Sequence, residues 1–203
     1  MENEALNKQD QQKNEVSLKS AKFSEFFTKH AKEILSLINQ GIEKNRKGDV
    51  AGSLSELSTI MSIVGEMTFA AGKLQVEEGS WNDGVRSLRR SRDLFVELGD
   101  WRRQAQASVE IGDAHLMMGD YEVAKMSYLD AQRYLRKIAD EAGLAVVQQK
   151  LGALALFMYQ ADEAETQLKK AIAFFESHND QKRAEVSRQL LQLAPEVRQT
   201  IPA

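Results

Sequence analysis

The sequence predicts an all-α protein built from antiparallel helix pairs, and three observations lead to that prediction. Glycine recurs every 40 residues, at Gly72, Gly112 and Gly152. In each block, apolar residues recur three and four positions apart on both sides of a turn, which is the spacing of amphipathic helices. The chain of 203 residues contains only two prolines, so little in it would interrupt helices. A fixed period of this length is typical of stacked helical hairpins.

The repeat extends well beyond glycine. Residues 70–100, 110–140 and 150–180 align without a gap, and each segment ends in aspartate. An aspartate ahead of a helix can accept hydrogen bonds from the free backbone N–H groups, so we expect each one to cap the helix that follows. The other shared columns are Gly79, Gly119 and Tyr159; Trp81, Tyr121 and Ala161; Gly84, Ala124 and Ala164; Leu88, Tyr128 and Leu168; and Ser91, Ala131 and Ala171.

The first 64 residues lie ahead of the regular repeats. Residues 1–20 are strongly polar, and we expect a disordered tail there. Residues 21–64 predict N-terminal helices, and within them Gly48-Asp49-Val50 matches the turn of the later units. This match allows a degenerate further repeat at that place.

The repeats themselves and the C-terminal elements follow in order. The three repeats are predicted at residues 65–104, 105–144 and 145–180. Residues 181–194 carry apolar side chains on a helical period, and a solenoid needs such a helix to cover its last apolar face. We expect Pro195 to end this capping helix and residues 195–203 to form a tail.

The best-formed unit resembles the tetratricopeptide repeat, in its longer form of about 40 residues. The matching positions are Ile111-Gly112, His115, Gly119-Asp120-Tyr121, Ala124, Tyr128 and Ala131. The resemblance implies a right-handed α-solenoid in which the first helices of successive units line a concave groove. It also implies that this groove binds a peptide or helix of another protein.

The 40-residue register places nine residues on that concave face. They are Phe69, Val109 and Gln149; Lys73, Asp113 and Ala153; and Val76, Leu116 and Leu156. We expect these residues to bind an apolar segment of a partner; the alternative is that they only pack between neighbouring helices. The predicted function is therefore a scaffold or adaptor for protein assembly. A chaperone for an apolar cargo segment, as in tetratricopeptide chaperones of secretion systems, is the second interpretation.

An additional helix with a strong apolar stripe precedes the repeats. Its apolar residues are Phe23, Phe26, Phe27, Ile34, Leu35 and Ile38. Such a stripe must be buried against something. Three arrangements stay open: the helix caps the array, it lies in the groove until a partner displaces it, or it pairs with a second copy to give a homodimer.

The residues that catalysis needs are scattered or absent. His30, His115 and His178 are far apart in sequence, and the chain has no cysteine and no metal-binding motif. The glycines follow the repeat period and do not cluster into a phosphate-binding loop. We therefore predict no enzymatic activity, no cofactor and no metal site.

Charge and hydropathy narrow the range of partners. The net charge of −3 argues against a nucleic-acid-binding protein. Basic residues do cluster at Arg86, Arg89, Arg90, Arg92, Arg102 and Arg103. This cluster predicts either a contact with an acidic partner or a solvated face balanced by nearby acidic residues.

No run reaches the roughly 20 apolar residues of a membrane helix, and the polar N-terminus is unlike a secretory signal. A cytoplasmic location is expected.

Overall fold

The computed structural model describes residues 2–199, with side chains from residue 21 to residue 198. This part of the chain forms nine α-helices and no β-strand. The helices are α1 (Glu2–Arg46), α2 (Val50–Glu77), α3 (Trp81–Glu97), α4 (Trp101–Met118), α5 (Tyr121–Lys137), α6 (Glu141–Phe157), α7 (Ala161–Ser177), α8 (Gln181–Gln192) and α9 (Ala194–Gln199). They divide into two compact units, Met1–Gly99 with α1 to α3 and Asp100–Ala203 with α4 to α9.

Aspartates begin α2, α4, α6 and α8. The carboxylates of Asp100, Asp140 and Asp180 accept hydrogen bonds from the backbone N–H three residues later, at 3.0, 2.9 and 3.1 Å. Asp49 does the same at 2.8 Å. These bonds satisfy N–H groups that have no partner within the helix. The prediction that the repeated aspartates are helix caps is confirmed.

In the first unit, the long helix α2 packs against both α1 and α3. The hydroxyl of Ser91 donates a 2.8 Å hydrogen bond to the carbonyl of Gly65. A Cβ at Gly65 would lie 2.7 Å from Cε1 of Phe95. This glycine therefore brings α3 close to α2 without interrupting the helix. The expected boundary between residues 64 and 65 consequently falls inside one continuous helix of 28 residues.

In the second unit, each helix packs on the next, from α4 through α8. Close approach within the pairs depends on glycine, because a Cβ at Gly112 would lie 2.5 Å from Cε1 of Tyr128, and one at Gly152 would lie 2.6 Å from Cγ of Leu168. The small columns of the second helices are fully buried at Ala124, Ala131, Ala164 and Ala171. The fold is an all-α solenoid of antiparallel helix pairs, as the sequence predicts.

The helix ends correct the expected repeat boundaries. The predicted units begin at residues 105 and 145, whereas α4 begins at Trp101 and α6 at Glu141. Each predicted boundary therefore lies inside the first turns of a helix. The reason is that the capping aspartate determines where the helix starts, and the first apolar residue of the repeat comes later.

Both ends of the chain also differ from expectation. Residues 2–20, predicted as a disordered tail, belong to α1; they contain no glycine or proline and many glutamate, lysine and glutamine residues, which favour helix. At the other end, Leu193 caps α8, and Pro195 lies in the first turn of α9. Proline is tolerated there because the first N–H groups of a helix have no internal partner. The chain therefore turns at Leu193 and continues as helix.

Candidate functional site

The nine predicted binding residues lie on the first helices of three pairs, three each on α2, α4 and α6. Eight of them are half-buried and Leu156 is buried. On α2, the ammonium of Lys73 lies 5.8 Å from the ring centroid of Phe69, and Val76 packs against Gly84 of α3. These side chains therefore contact their own helix pair while keeping part of their surface in solvent.

Asp113 is the centre of a polar cluster that joins three helices. Its Oδ1 accepts a 2.6 Å hydrogen bond from the hydroxyl of Tyr128 on α5. Its two oxygens also accept hydrogen bonds from Nζ of Lys150 on α6, at 2.8 and 2.7 Å. Burial of Tyr128, together with the neighbouring carboxylate, raises the pKa of that phenol, so the hydroxyl stays protonated and donates. Asp113 thus holds helices together, a role that the periodic pattern does not reveal.

Four other predicted residues of the second unit also pack between helices. Nε2 of Gln149 donates to Oγ of Ser187 at 2.8 Å and so ties α6 to α8. Val109 and Leu116 pack on the core formed by α4, α5 and α6. Leu156 belongs to the core shared with α7 and α9. At these four positions the structure shows the packing that the alternative interpretation expects, because each side chain contacts a neighbouring helix.

An open apolar groove of about 560 Å³ lies in the second unit. It lies among α5, α6, the turn after α6, α8 and α9. Its lining residues are Tyr121, Ala153, Leu156, Phe157, Tyr159, Leu190, Leu193 and Val197. Two of the nine predicted residues, Ala153 and Leu156, are among them. The rings of Tyr121 and Phe157 stack with centroids 6.0 Å apart, while Phe157 remains 56% exposed and Tyr159 58% exposed.

The backbone at Tyr159 has a conformation that bulky residues rarely adopt. Tyr159 has φ of 58°, in the left-handed region, whereas the matching turns carry Gly79 at 84° and Gly119 at 80°. A bulky residue is a rare occupant of this region, where a side chain costs on the order of 1 kcal/mol that glycine avoids. The ring is mostly exposed, so packing does not explain its presence. The sequence shows this departure, since tyrosine replaces glycine in one repeat column.

The titratable clusters have structural explanations. Nδ1 of His115, near the end of α4, lies 3.2 Å from Oδ2 of Asp120, the residue that precedes α5. Among the residues that the structure describes, no group of three or more histidine, cysteine, aspartate or glutamate side chains could hold a metal ion. None of the described helices is long and apolar enough to cross a bilayer.

The arginine cluster is balanced by acidic neighbours within the same units. Ion pairs join Arg86 to Asp83, Arg92 to Asp93, Arg102 to Asp140 and Arg103 to Asp100, at 3.5, 3.8, 3.3 and 3.5 Å. These contacts favour the solvated-face interpretation over an anion-binding site. Exposed pairs of this kind contribute little to stability.

Comparison with known proteins supports the fold class. No family model matches the chain, and no curated protein matches it. The crystal structure of BtubC (BKLC) from P. vanneervenii aligns with a TM-score of 0.54 at 13% identity, over 93% of this chain and 92% of that chain. Two crystal structures of MamA align with TM-scores of 0.45, at 21% and 20% identity. They cover 81% and 78% of this chain, and 87% and 94% of theirs.

At such low identity the likeness to BtubC concerns the fold alone. The helix pairs, their 40-residue register and the BtubC alignment are together consistent with tetratricopeptide-like repeats. The class of protein is thus an all-α, tetratricopeptide-like solenoid.

Proposed function

We propose that this protein is a non-enzymatic interaction scaffold that binds an apolar segment of a partner protein, and that the groove of the second unit is its anchor site. The observation that carries the proposal is the exposed aromatic wall formed by Phe157 and Tyr159 beside Leu193. Large apolar side chains kept in solvent around a concave site are typical of binding surfaces. The strained turn at Tyr159 supports the same conclusion.

The chemistry of the groove selects an apolar anchor. Its lining is aliphatic and aromatic, with two tyrosine hydroxyls as the polar side-chain groups. The nearby charges of Arg198, Asp162 and Glu165 are paired with one another. A partner would therefore insert leucine, phenylalanine or methionine side chains, while its backbone or polar residues meet the tyrosine hydroxyls. Charged peptides have no free counter-charge in the lining.

The nine predicted residues are divided between the two units. Ala153 and Leu156 line the anchor site itself. The other four of the second unit are proposed to contact the rest of the bound segment; they are Val109, Asp113, Leu116 and Gln149. Phe69, Lys73 and Val76 remain a proposed binding surface of the first unit. In this view Asp113 positions helices more than it contacts the ligand, because its two oxygens already accept hydrogen bonds from Tyr128 and Lys150.

A library of random peptides displayed on phage tests the anchor site. Peptides selected on the wild-type protein should contain apolar or aromatic residues, and they should lose at least tenfold in affinity for Phe157→Ser. The matched control is Met126→Ser, since Met126 is 62% exposed on α5 and lies outside the groove. Equal binding to both variants, or selection of charged peptides, would contradict the proposal.

A chaperone for apolar cargo is the second candidate, and the openness of the groove favours it. The lining offers few polar groups that would demand one particular sequence, and Met117 is a further exposed, adaptable apolar side chain. The same selection separates the two functions. An adaptor should enrich peptides with a shared pattern of anchors, whereas a chaperone should enrich peptides that share apolarity without a common pattern.

A further inference from the structure

The first unit contains a helical hairpin in which each helix has an inner line of residues that faces the other helix and an outer line of exposed apolar residues. Helices α1 and α2 are joined by a three-residue turn and pack against each other. The inner line of α1 contains Ile34, Leu37 and the buried Gly41, where a Cβ would lie 3.6 Å from Cβ of Glu56. Lys44 pairs with Glu56 across the same line. This inner contact is already occupied within the chain.

The outer line lies one residue further along each helix. On α1 the exposed apolar residues are Leu35, Ile38 and Ile42, each directly after an inner residue. On α2 they are Leu54, Leu57 and Val64, which directly follow Ser53, Glu56 and Ile63. One residue corresponds to about 100° around a helix. Both helices are right-handed and they run antiparallel. A step of one residue from the inner line therefore rotates toward the same side of the hairpin on both helices, so the two outer lines share one side.

This side is a large and strongly apolar surface. With Phe27 and Val50 it holds eight large apolar side chains, with exposures up to 62% at Leu35 and 59% at Leu54. At about half exposure each, they present roughly 600 Å² of apolar surface, which is the upper end for a typical monomer. Between residues 50 and 64 the sequence carries a single charge, Glu56, and that charge faces the inner line.

We propose that a second copy of this chain covers this face, so that two α1–α2 hairpins form a four-helix bundle. The spacing along the outer lines alternates between three and four, as in the seams of helix bundles. The positions are 35, 38 and 42 on α1, and 50, 54, 57, 61 and 64 on α2, where 61 is the half-buried Met61. With its polar rim, the face approaches the roughly 800 Å² per partner that a stable dimer buries.

The face is also complementary to itself. The contact of Gly41 with Glu56 sets the register of the hairpin, so the layers that follow pair Ile42 with Leu54 and Ile38 with Leu57. A two-fold axis through the Ile38–Leu57 layer brings that layer against its own copy and places large side chains opposite large side chains. Such an interface closes after two copies. This surface lies in the first unit and is independent of the proposed groove.

The mass of the intact protein in solution tests the proposal. Light scattering after size exclusion should give twice 22.8 kDa for the wild type at tens of micromolar. Leu57→Glu should give the single-chain mass with unchanged helical circular dichroism, because it places an unpaired charge in the seam. The matched control Ser55→Glu lies on the opposite, polar side of α2 and should remain dimeric.

Crosslinking supplies a second measurement that does not depend on a destabilised variant. The chain has no cysteine, so Leu57→Cys provides one thiol in the central layer. A bismaleimide that reaches across a bundle core should link two chains of Leu57→Cys and leave Ser55→Cys uncoupled. A single-chain mass for the wild type, which is what a heterologous partner helix would predict, overturns the proposal. So does an undiminished dimer for Leu57→Glu.

Discussion

Gly112→Ala tests whether the repeated glycines exist to let paired helices approach. The added Cβ would lie 2.5 Å from Cε1 and 2.7 Å from Cδ1 of Tyr128. The ring cannot move away cheaply, since Tyr128 is fully buried and its hydroxyl donates at 2.6 Å to Asp113. Overpacking costs about 1 to 3 kcal/mol, whereas alanine gains about 1 kcal/mol over glycine in a helix. With the hydrogen bond also disturbed, we expect the free energy of unfolding to fall by about 1 to 2 kcal/mol.

Gly41→Ala is the matched control, because it makes the same chemical change in a helix with room for it. The nearest atom to a Cβ at Gly41 is 3.6 Å away, an ordinary van der Waals distance. The helix propensity then acts alone, and stability should rise by about 1 kcal/mol. Urea unfolding followed by far-ultraviolet circular dichroism measures both variants at constant m-value. Equal stabilities for the two variants would refute the close-packing explanation of the glycine column.

Three further predictions follow from other contacts. Burial and Asp113 raise the pKa of Tyr128 above its ordinary value of 10.0. The tyrosine therefore ionises first in the unfolded state, and the free energy of unfolding falls as the pH rises above 10. Tyr128→Phe should reduce that fall, as measured by urea unfolding at alkaline pH. Asp140→Ala should cost about 1 kcal/mol in thermal or urea unfolding through loss of its cap to α6, while Arg102→Ala, which removes only an exposed ion pair with Asp140, should change little. Ala124→Leu should lower stability by about 1 to 3 kcal/mol because its site is fully buried, and an unchanged urea midpoint would show that this column does not pack tightly.

The sequence predicted those features that every repeat needs in order to form a packed helix pair. Helix pairs need a cap, a turn and small residues where two backbones meet, so Asp100, Ala124 and Gly152 recur at the period of the fold. Each of these positions behaves in the structure as its column suggests. The all-α class follows from these positions, because the same packing constraint selects the same type of residue at the same position of each repeat.

The 40-residue period did not predict which side chains contact one another. Asp113 aligns with Lys73 and Ala153, so its column predicted a surface position and gave no hint of the bonds to Tyr128 and Lys150. The continuity of α2 was missed for a related reason. Gly65 resembles a boundary in sequence, but its role depends on Phe95, which is 30 positions away in the chain and adjacent only after folding.

The proposed groove arises where the last units depart from the repeat. Tyr159 stands where the other turns have glycine, and Leu193 with Pro195 turns the chain into α9, which no other unit has. Leu193 and Val197 line one side of the groove, and Phe157 and Tyr159 are exposed on the other. The proposed anchor site therefore rests on exceptions to the 40-residue pattern, and these are residues that the pattern itself could not predict.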